Sequence, residues 1–589
     1  MEAPSDRSTF RSVATECRRA SVPLVVFSAA INVLTLTTAF YMLQVYDRVL
    51  TSRSIETLAA LSLIALAALA TLASLETVRS RLLVAIGGWM NRRLSPVLLA
   101  ASVEQAATAP GTGGSRALRD LEQVRNFLTG PTIFPILDAP WAPIFLGAMF
   151  LLNVWFGVVA LAGAAILFGL ALLTEVVTRK PLADATCTQA QAYAQADAAL
   201  RNAEVIQAMG MLNDVTRRWG PVQNAAVQAQ TAASIRAGAI SSAARFLRMV
   251  LQSGILCVGA LLVVYDQVSP GAMVAASILM GRALAPVEQA IGTWRGIVAA
   301  REAYRRLKSV AGERPETSLA LPLPRPEGRL TVDKVSLVRS LGAEPILKGV
   351  SFSLLPGEVL ALIGPSAAGK TSLARTLVGA WKPSAGRVLL DGMDVAQWPA
   401  EDRGLHVGYL PQDVELFSGT VTDNIARFRP IADSGAFEKV IAASRLAGVH
   451  ELIKGLSKGY RTEIGESGAA LSGGQRQRIG LARAIFGDPA LVVLDEPNSN
   501  LDREGEHALQ LAIEALKTAG KTVILIAHRP NMLTSVDKVM VLRAGQVDLF
   551  GPRDEVLREL NERARAASST AANGGDETST VRSIARPVQ

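Results

Sequence analysis

Val359-Leu360-Ala361-Leu362-Ile363 runs directly into Gly364-Pro365-Ser366-Ala367-Ala368-Gly369-Lys370-Thr371. Five consecutive apolar residues suit a short strand buried on both faces. The eight residues from Gly364 fit G-x-x-x-x-G-K-[ST], a loop whose backbone N–H groups wrap phosphates between a strand and a helix. Lys370 supplies a point charge to β/γ oxygens, Thr371 offers a hydroxyl to a hard cation, and Ser372 to Val378 is compatible with the helix the motif requires. The pattern alone recurs by chance; the strand before it and the helix after it make it specific. A second apolar run, Leu491-Val492-Val493-Leu494, ends in Asp495-Glu496. A buried strand delivering carboxylates beside such a loop is the arrangement in which the first acid, Asp495, holds Mg²⁺. The alternative, two solvated acids at a strand end, leaves the phosphate loop without its metal ligand.

Between these two runs stands Leu471-Ser472-Gly473-Gly474-Gln475. LSGGQ is the signature of ATP-binding cassette (ABC) ATPases, and the chain from Val359 to Ala527 resembles that family. The resemblance implies that ATP and Mg²⁺ are bound, that residues Gly364 to Thr371 together with Ser372 cradle the nucleotide, and that Glu496 polarises the attacking water as general base. It implies that Gln412, in Tyr409-Leu410-Pro411-Gln412, reaches both Mg²⁺ and the water, and that His528, following the strand-like Thr522 to Ala527, contacts the γ-phosphate. A lone histidine is usually structural; one that follows a strand beyond the paired carboxylates is not lone in that sense. Ser472, Gly473, Gly474 and Gln475 are implied to face ATP held by a second cassette, so one chain cannot complete its own active site. Asp502, in Ser499-Asn500-Leu501-Asp502, stands where the family has its inter-cassette loop. One departure concerns the base: many cassettes stack adenine on an early aromatic residue, whereas Val335-Ser336-Leu337-Val338-Arg339 has none. Arg339 or an aliphatic surface remains for adenine, and that contact is unassigned.

The 589 residues are 50% hydrophobic and 19% charged, with a mean hydropathy of +0.29. That balance excludes an ordinary soluble protein. Long apolar runs crowd into residues 22–285, and six stretches are long enough to span a bilayer: 22–45, 56–78, 131–151, 154–175, 247–266 and 270–292. An even number returns the chain to the side on which it started. Arg7, Arg11, Arg18 and Arg19 precede the first run, which predicts a cytoplasmic N-terminus and no cleavable signal peptide. Arg79, Arg81, Arg92 and Arg93 follow the second span, and Arg179, Lys180, Arg201, Arg217 and Arg218 the fourth. Arg48 and Arg53, in the first outward loop, are exceptions to the positive-inside rule. The net charge of +9 is scattered, without the basic-aromatic pattern of a nucleic-acid module, and suits anionic lipid better. Cys17, Cys187 and Cys257 form no metal or disulfide pattern.

Between spans two and three, and again between four and five, lie long helix-compatible stretches rich in Ala, Gln, Glu and Arg. They read as extensions of the membrane helices toward the ATPase half, or else as two soluble helical hairpins. Asp138 lies among Pro135, Pro140 and Pro143, which should break or kink the third span. An ionisable group there either lines the translocation path or caps a helix end at the interface.

Four local sequences are more specific: Phe40-Tyr41-Met42-Leu43-Gln44-Val45-Tyr46-Asp47-Arg48-Val49, Leu121-Glu122-Gln123-Val124-Arg125-Asn126-Phe127-Leu128, Asp138-Ala139-Pro140-Trp141-Ala142-Pro143, and Arg201 to Met211 (RNAEVIQAMGM). Together they resemble the membrane domains of type I secretion permease/ATPases of the protease/lipase exporter kind. The expected fold is therefore multidomain: an all-α six-helix transmembrane domain of ABC exporter type, followed by an α/β P-loop nucleotide-binding domain. The expected organisation is a cytoplasmic segment over 1–21, the transmembrane domain over 22–309, a proline-rich linker over 310–328, the ATPase domain over 329–564 and a disordered tail over 565–589. Thr462 to Gly468 resembles the loop that, in exporters, touches the ends of the membrane helices.

The resemblance implies a homodimeric, multi-pass exporter of the bacterial inner membrane with its ATPase domain in the cytoplasm. Its cargo would be an unfolded polypeptide with a C-terminal secretion signal, and its partners the lipid bilayer, a periplasmic membrane-fusion adaptor and an outer-membrane duct, with no nucleic acid. Membrane sequence begins almost at once, leaving no room for an N-terminal peptidase domain. Two other readings stay open: an exporter of lipids or small amphiphiles with the same architecture, and a regulatory ATPase that transports nothing, against which the six spans weigh.

Overall fold

In the computed structural model, residues 6–108, 116–312, 324–339, 344–431, 434–465, 468, 471–527 and 530–571 are described. The chain divides into two compact units, Met1–Glu316 and Thr317–Gln589.

The first unit is helical: α1 Asp6–Gln44, a π-turn Val45–Val49, α2 Leu50–Ser52, α3 Ile55–Thr108, α4 Arg116–Thr129, α5 Phe134–Asp138, α6 Ala142–Leu152, α7 Val154–Arg201, α8 Ala203–Ala208, α9 Leu212–Val264, α10 Pro270–Gly292 and α11 Trp294–Gly312. Six segments among the described residues are long and apolar enough to cross a membrane: 12–52, 55–107, 131–152, 154–201, 212–264 and 270–292. Their apolar stretches coincide with the six spans read from the sequence. Helices α3, α7 and α9 have 54, 48 and 53 residues, so each is over twice the ~30 Å of a hydrocarbon core at 1.5 Å per residue. The stretches between spans are thus continuations of the membrane helices, not separate hairpins. Side chains such as Leu63, Leu151 and Leu172 stay open to the surroundings, as lipid-facing residues must. The core of the bundle gathers around α10, where Ala275, Ala276, Met280 and Leu284 meet Phe145, Phe156 and Ile255.

Proline interrupts the third span as expected. A 3-10 turn at Pro131–Ile133 precedes α5, and a second at Ala139–Trp141 separates α5 from α6. Asp138 caps nothing with its side chain. Its carboxylate instead accepts from Arg79 Nη1 at 2.7 Å and Asn32 Nδ2 at 3.1 Å, while Arg79 also donates to Ser28 Oγ at 3.1 Å. The guanidinium lies 4.8 Å from the Phe134 ring centre. The interfacial-cap reading is therefore replaced by a partly buried ion pair that ties the broken span to α1 and α3, which meets the cost of an ionisable group there. Asp47 of the π-turn acts comparably, accepting from Ser269 Oγ at 2.5 Å and the Gly271 N–H at 3.0 Å, so that the turn after α1 closes on the start of α10.

The second unit holds two sheets. Strands β1 Leu330–Leu337, β2 Leu347–Leu354, β4 Ala385–Leu390 and β5 Met393–Asp394 form an antiparallel sheet in the order β2-β1-β4-β5. Strands β3 Val359–Ile363, β6 Val407–Leu410, β7 Leu491–Asp495, β8 Thr522–Ile526, β9 Lys538–Arg543 and β10 Gln546–Pro552 form the other, in the order β10-β9-β3-β8-β7-β6. All its pairings are parallel except β9 with β10. The helices are α12 Lys370–Leu377, α13 Ala400–His406, α14 Val421–Ile425, α15 Ser434–Leu446, α16 His450–Lys454, α17 Gly473–Ile485, α18 Arg503–Thr518 and α19 Arg553–Ala571. Every residue of β3, β7 and β8 is buried. Alternate side chains supply opposite layers: Val359 and Ala361, Val492 and Leu494, and Val523 and Leu525 enter one core, while Leu360 and Leu362, Leu491 and Val493, and Ile524 and Ile526 enter the other. That is why these runs read as uninterrupted hydrophobic strings.

Two boundaries differ from the expected ones. Helix α11 continues to Gly312, past the expected linker start at 310, because Val310 still packs on the cluster formed by Val13, Leu98 and Leu307. Helix α19 continues to Ala571, into the segment expected to be disordered from 565; the run Arg565-Ala566-Ala567 is composed of strong helix formers. Residues 572–589 lie outside the described residues.

Candidate functional site: the nucleotide-binding cassette

The strand order places the ends of β3, β8, β7 and β6 side by side, and the candidate residues extend from those ends. Gly364, the first residue after β3, has φ +153, and a Cβ there would lie 2.2 Å from the Leu542 carbonyl oxygen. Only glycine allows the loop to leave the sheet so close to β9. Ala367 also takes a left-handed φ of +63, and Gly369, at +98, opens α12. Lys370 is buried and its Nζ donates to the Gly364 and Pro365 carbonyls at 2.8 and 2.9 Å. Burial lowers its pKa, opposed by the nearby Glu496 and Asp495 charges.

Parallel pairing of Asp495 with Ile526, at the end of β7, sets the acidic pair beside the phosphate loop. Asp495 is fully buried, and neither carboxylate oxygen has a hydrogen-bond partner. Burial raises its pKa most, and the neighbouring Glu496 charge raises it further; the Thr371 hydroxyl and the Arg375 and Lys370 charges pull the other way. A buried, unsatisfied carboxylate facing a threonine hydroxyl is a donor set for a hard cation. Glu496 has φ +49, a strained conformation for glutamate, held by its N–H to the Ile526 carbonyl at 3.2 Å and by Gln477 Nε2 on its own carbonyl at 3.4 Å. Gln412 is exposed, two residues beyond β6, whose Leu410 pairs with Leu494. The sheet thereby delivers Gln412 to the same edge as the acids. His528 follows β8 on that edge by sequence but lies outside the described residues.

The signature residues go elsewhere. Ser472 caps α17 through a capping box, with its Oγ accepting from the Gln475 N–H at 3.3 Å and Gln475 Oε1 from the Ser472 N–H at 2.9 Å. Gly473 lines a cleft with Asp413, Val414, Arg476, Gln477 and Asn500, and none of the phosphate-loop residues lines it. A Cβ on Gly474 would come within 2.9 Å of the Asn500 carbonyl oxygen. Asp502 caps α18, accepting from the Gly505 N–H at 2.8 Å, and pairs with Arg478 of α17 at 3.3 Å. The structure thus gathers Gly364 to Thr371 with Asp495 and Glu496, and sets the signature residues around a cleft that no phosphate-loop residue lines, linked to Glu496 through Gln477.

The family models match these same two parts: residues 23–286 match the ABC transporter transmembrane region and residues 347–499 match the family ABC transporter. The type I secretion system ATP-binding protein PrsD of Rhizobium meliloti (strain 1021) is 44% identical over 546 residues, 92% of this chain and 93% of that protein. This chain belongs to the ABC transporters of type I secretion. It is a multi-pass membrane protein that binds nucleotide and hydrolyses ATP. The cyclolysin secretion/processing ATP-binding protein CyaB of Bordetella pertussis (strain Tohama I) is 30% identical over 94% of this chain and 78% of its own length. The toxin RTX-I translocation ATP-binding protein of Actinobacillus pleuropneumoniae is 30% identical over 95% and 79%. A solved bacterial Atm1-family ABC exporter with ATP bound shares the fold at a TM-score of 0.77, with 23% identity over 95% of this chain and 99% of that one.

Three residues of this ABC transporter escaped the motifs. Gln477 is buried on the apolar stripe of α17 with Gly480, Leu481 and Ala484, bonded to Glu496 and to Asn500 at 3.4 Å each; a polar residue on that stripe was the available signal. The Arg375 charge of α12 lowers the Asp495 pKa, and at Tyr409 of β6 burial, followed by the Asp495 charge, raises the phenol pKa. No local pattern marks either one. On the side where adenine was left unassigned, the Arg339 and Arg375 guanidiniums lie 4.8 and 4.9 Å from the Trp381 ring centre.

Proposed function

We propose that this ABC exporter works as a homodimer in the bacterial inner membrane and moves unfolded polypeptides bearing a C-terminal secretion signal, with N-terminus and ATPase unit in the cytoplasm. The observation that supports the dimer is that the signature cleft, lined by Gly473, Gln477 and Asn500, contains no phosphate-loop residue of its own chain. Two copies related by a twofold axis would place Ser472, Gly473, Gly474 and Gln475 of each on the nucleotide held by the other. The polypeptide cargo is supported by the kinship with the cyclolysin and RTX-I toxin exporters, as are a membrane-fusion adaptor and an outer-membrane duct as partners.

Asp495 and Thr371, with Gln412 from the end of β6, would hold Mg²⁺, which supplies positive charge to the β- and γ-phosphates. Backbone N–H groups from Gly364 to Thr371 and the start of α12 at Lys370 to Ser372 bind the phosphate oxygens, and the Lys370 ammonium neutralises charge on the β/γ oxygens. Glu496 takes a proton from water as the water oxygen bonds to the γ-phosphorus and the bond to the β–γ bridging oxygen breaks. His528 contacts the γ-phosphate, and Asp502 steadies the start of α18 beside the signature helix.

Complementation tests the shared site. Lys370→Ala and Gly474→Asp chains should each be inactive alone, and mixing them should restore about a quarter of wild-type ATPase activity, since half the dimers then hold one intact site of two. No recovery in verified mixed dimers would contradict the shared site.

A further inference from the structure

The six spans are unequal in their surroundings. The most apolar stretch of α10 is 56% buried, against 0–28% for the other five. Between Gly271 and Ile291 the exposed residues of α10 are Arg282 and Gln289, seven positions and so two turns apart on one face. Within the other spans the exposed residues away from the ends are uncharged and mostly apolar, as at Ile64, Leu151, Leu161 and Leu172. Arg282 stands twelve residues after Pro270, about 18 Å along the helix and so near the centre of a hydrocarbon core of about 30 Å. Its side chain cannot reach the headgroups from there, and no carboxylate pairs with it among the described residues. A face like this does not look onto lipid.

Helix α9 adds charge beside it. Arg245 and Arg248 both pair with Glu288 of α10, the first at 3.7 Å. Arg248 donates to Gln252 at 3.4 Å, and Gln252 lies against Gly281. One turn beyond α10, Arg295 donates to Ser234 of α9 at 2.9 Å. The seam therefore carries Arg245, Arg248, Arg282 and Arg295 against the single carboxylate of Glu288. Where the seam lies close to the twofold axis of a dimer, the copy facing it carries the same excess of arginine over carboxylate. Lipid phosphates lie at headgroup depth, too far from Arg282.

We infer that the α9/α10 seam lines the translocation path and binds acidic segments of the polypeptide in transit. This rests on the polypeptide-export reading and adds to it a charge preference in the cargo. Transient pairing with carboxylates would also keep a polyanionic chain hydrated and moving, since exposed pairs are individually weak.

The test uses the full-length dimer in nanodiscs and three fluorescein-labelled flexible peptides of equal length, one Glu/Gly/Ser, one Gln/Gly/Ser and one Lys/Gly/Ser. The acidic peptide should bind at least about tenfold more tightly than the other two, with an affinity that falls as salt rises. Arg282→Gln and Arg245→Gln should each weaken it severalfold and leave basal ATPase turnover unchanged, and the Arg282→Glu variant should favour the basic peptide. Equal binding of all three peptides would overturn the charge preference and leave polypeptide export standing. No binding of any peptide would count against both. Loss of binding only when phosphatidylglycerol is present, relieved by Arg282→Gln, would make the seam a lipid site and overturn the inference.

Discussion

Replacing Asp495 by asparagine separates what this residue contributes to folding from what it contributes to catalysis. The native carboxylate is fully buried with both oxygens unbonded. Leaving such a group unsatisfied costs about 1–3 kcal/mol, more when it is charged. Asparagine keeps the shape and removes the charge while its amide still goes unbonded, so the nucleotide-free protein should be more stable by the part of that cost due to charge, on the order of 1 kcal/mol, or about 2–4 °C for a domain of this size. The sign follows from the raised pKa of Asp495. Below the ordinary carboxylate range the aspartic acid is neutral in both folded and unfolded states, and the two proteins should be equally stable. As pH rises through the raised native pKa, the wild type loses stability that the Asn variant keeps. Mg²⁺ reverses the ranking: at a hundredfold excess over Kd, Mg·ATP should add about 2.7 kcal/mol to the wild type and little to Asp495→Asn, whose ATPase activity should be lost. Scanning fluorimetry of the full-length protein in detergent, with and without Mg·ATP across pH 5 to 8, reads both effects. Equal or lower stability of the nucleotide-free variant at pH 8, or an undiminished Mg²⁺-dependent shift, would refute the reasoning.

Other perturbations have equally definite outcomes. Glu496→Gln should bind ATP normally and lose turnover by at least about a hundredfold, measured by nucleotide affinity and phosphate release; transport continuing without turnover would contradict the assignment of Glu496. Gly474→Ala should retain ATP binding and lose most ATPase activity, since a Cβ there meets the Asn500 carbonyl oxygen at 2.9 Å. Asp138→Ala should destabilise the membrane unit by about 3–5 kcal/mol by leaving the Arg79 guanidinium buried and unpaired, and Arg79→Met with Asp138→Leu should recover most of that loss in a thermal double-mutant cycle.

How much of this was legible in the sequence depends on the range of each interaction. The P-loop, Asp495-Glu496 and LSGGQ are local patterns in which backbone conformation and chemistry coincide, so their positions follow from order alone. The six spans were visible because a bilayer imposes a length and a composition. Pairings across long separations were not: Asp138 with Arg79 is 59 residues apart and Asp47 with Gly271 is 224, and nothing local announces either partner. The same reason hid Gln477, Arg375 and Tyr409, which reach Asp495 or Glu496 only through the sheet order. Helix ends were misjudged where composition and packing disagree, as at Val310, where a charged segment keeps its helix by packing on Leu307 and its neighbours.

The most direct test of polypeptide export is the ATPase rate of the purified, lipid-reconstituted exporter with and without C-terminal peptides from secreted proteins encoded near its gene. Polypeptide export predicts a saturable change in turnover with the native peptide and none with its scrambled version. A protein indifferent to every peptide, and clearly stimulated by a lipid or small amphiphile, would contradict it.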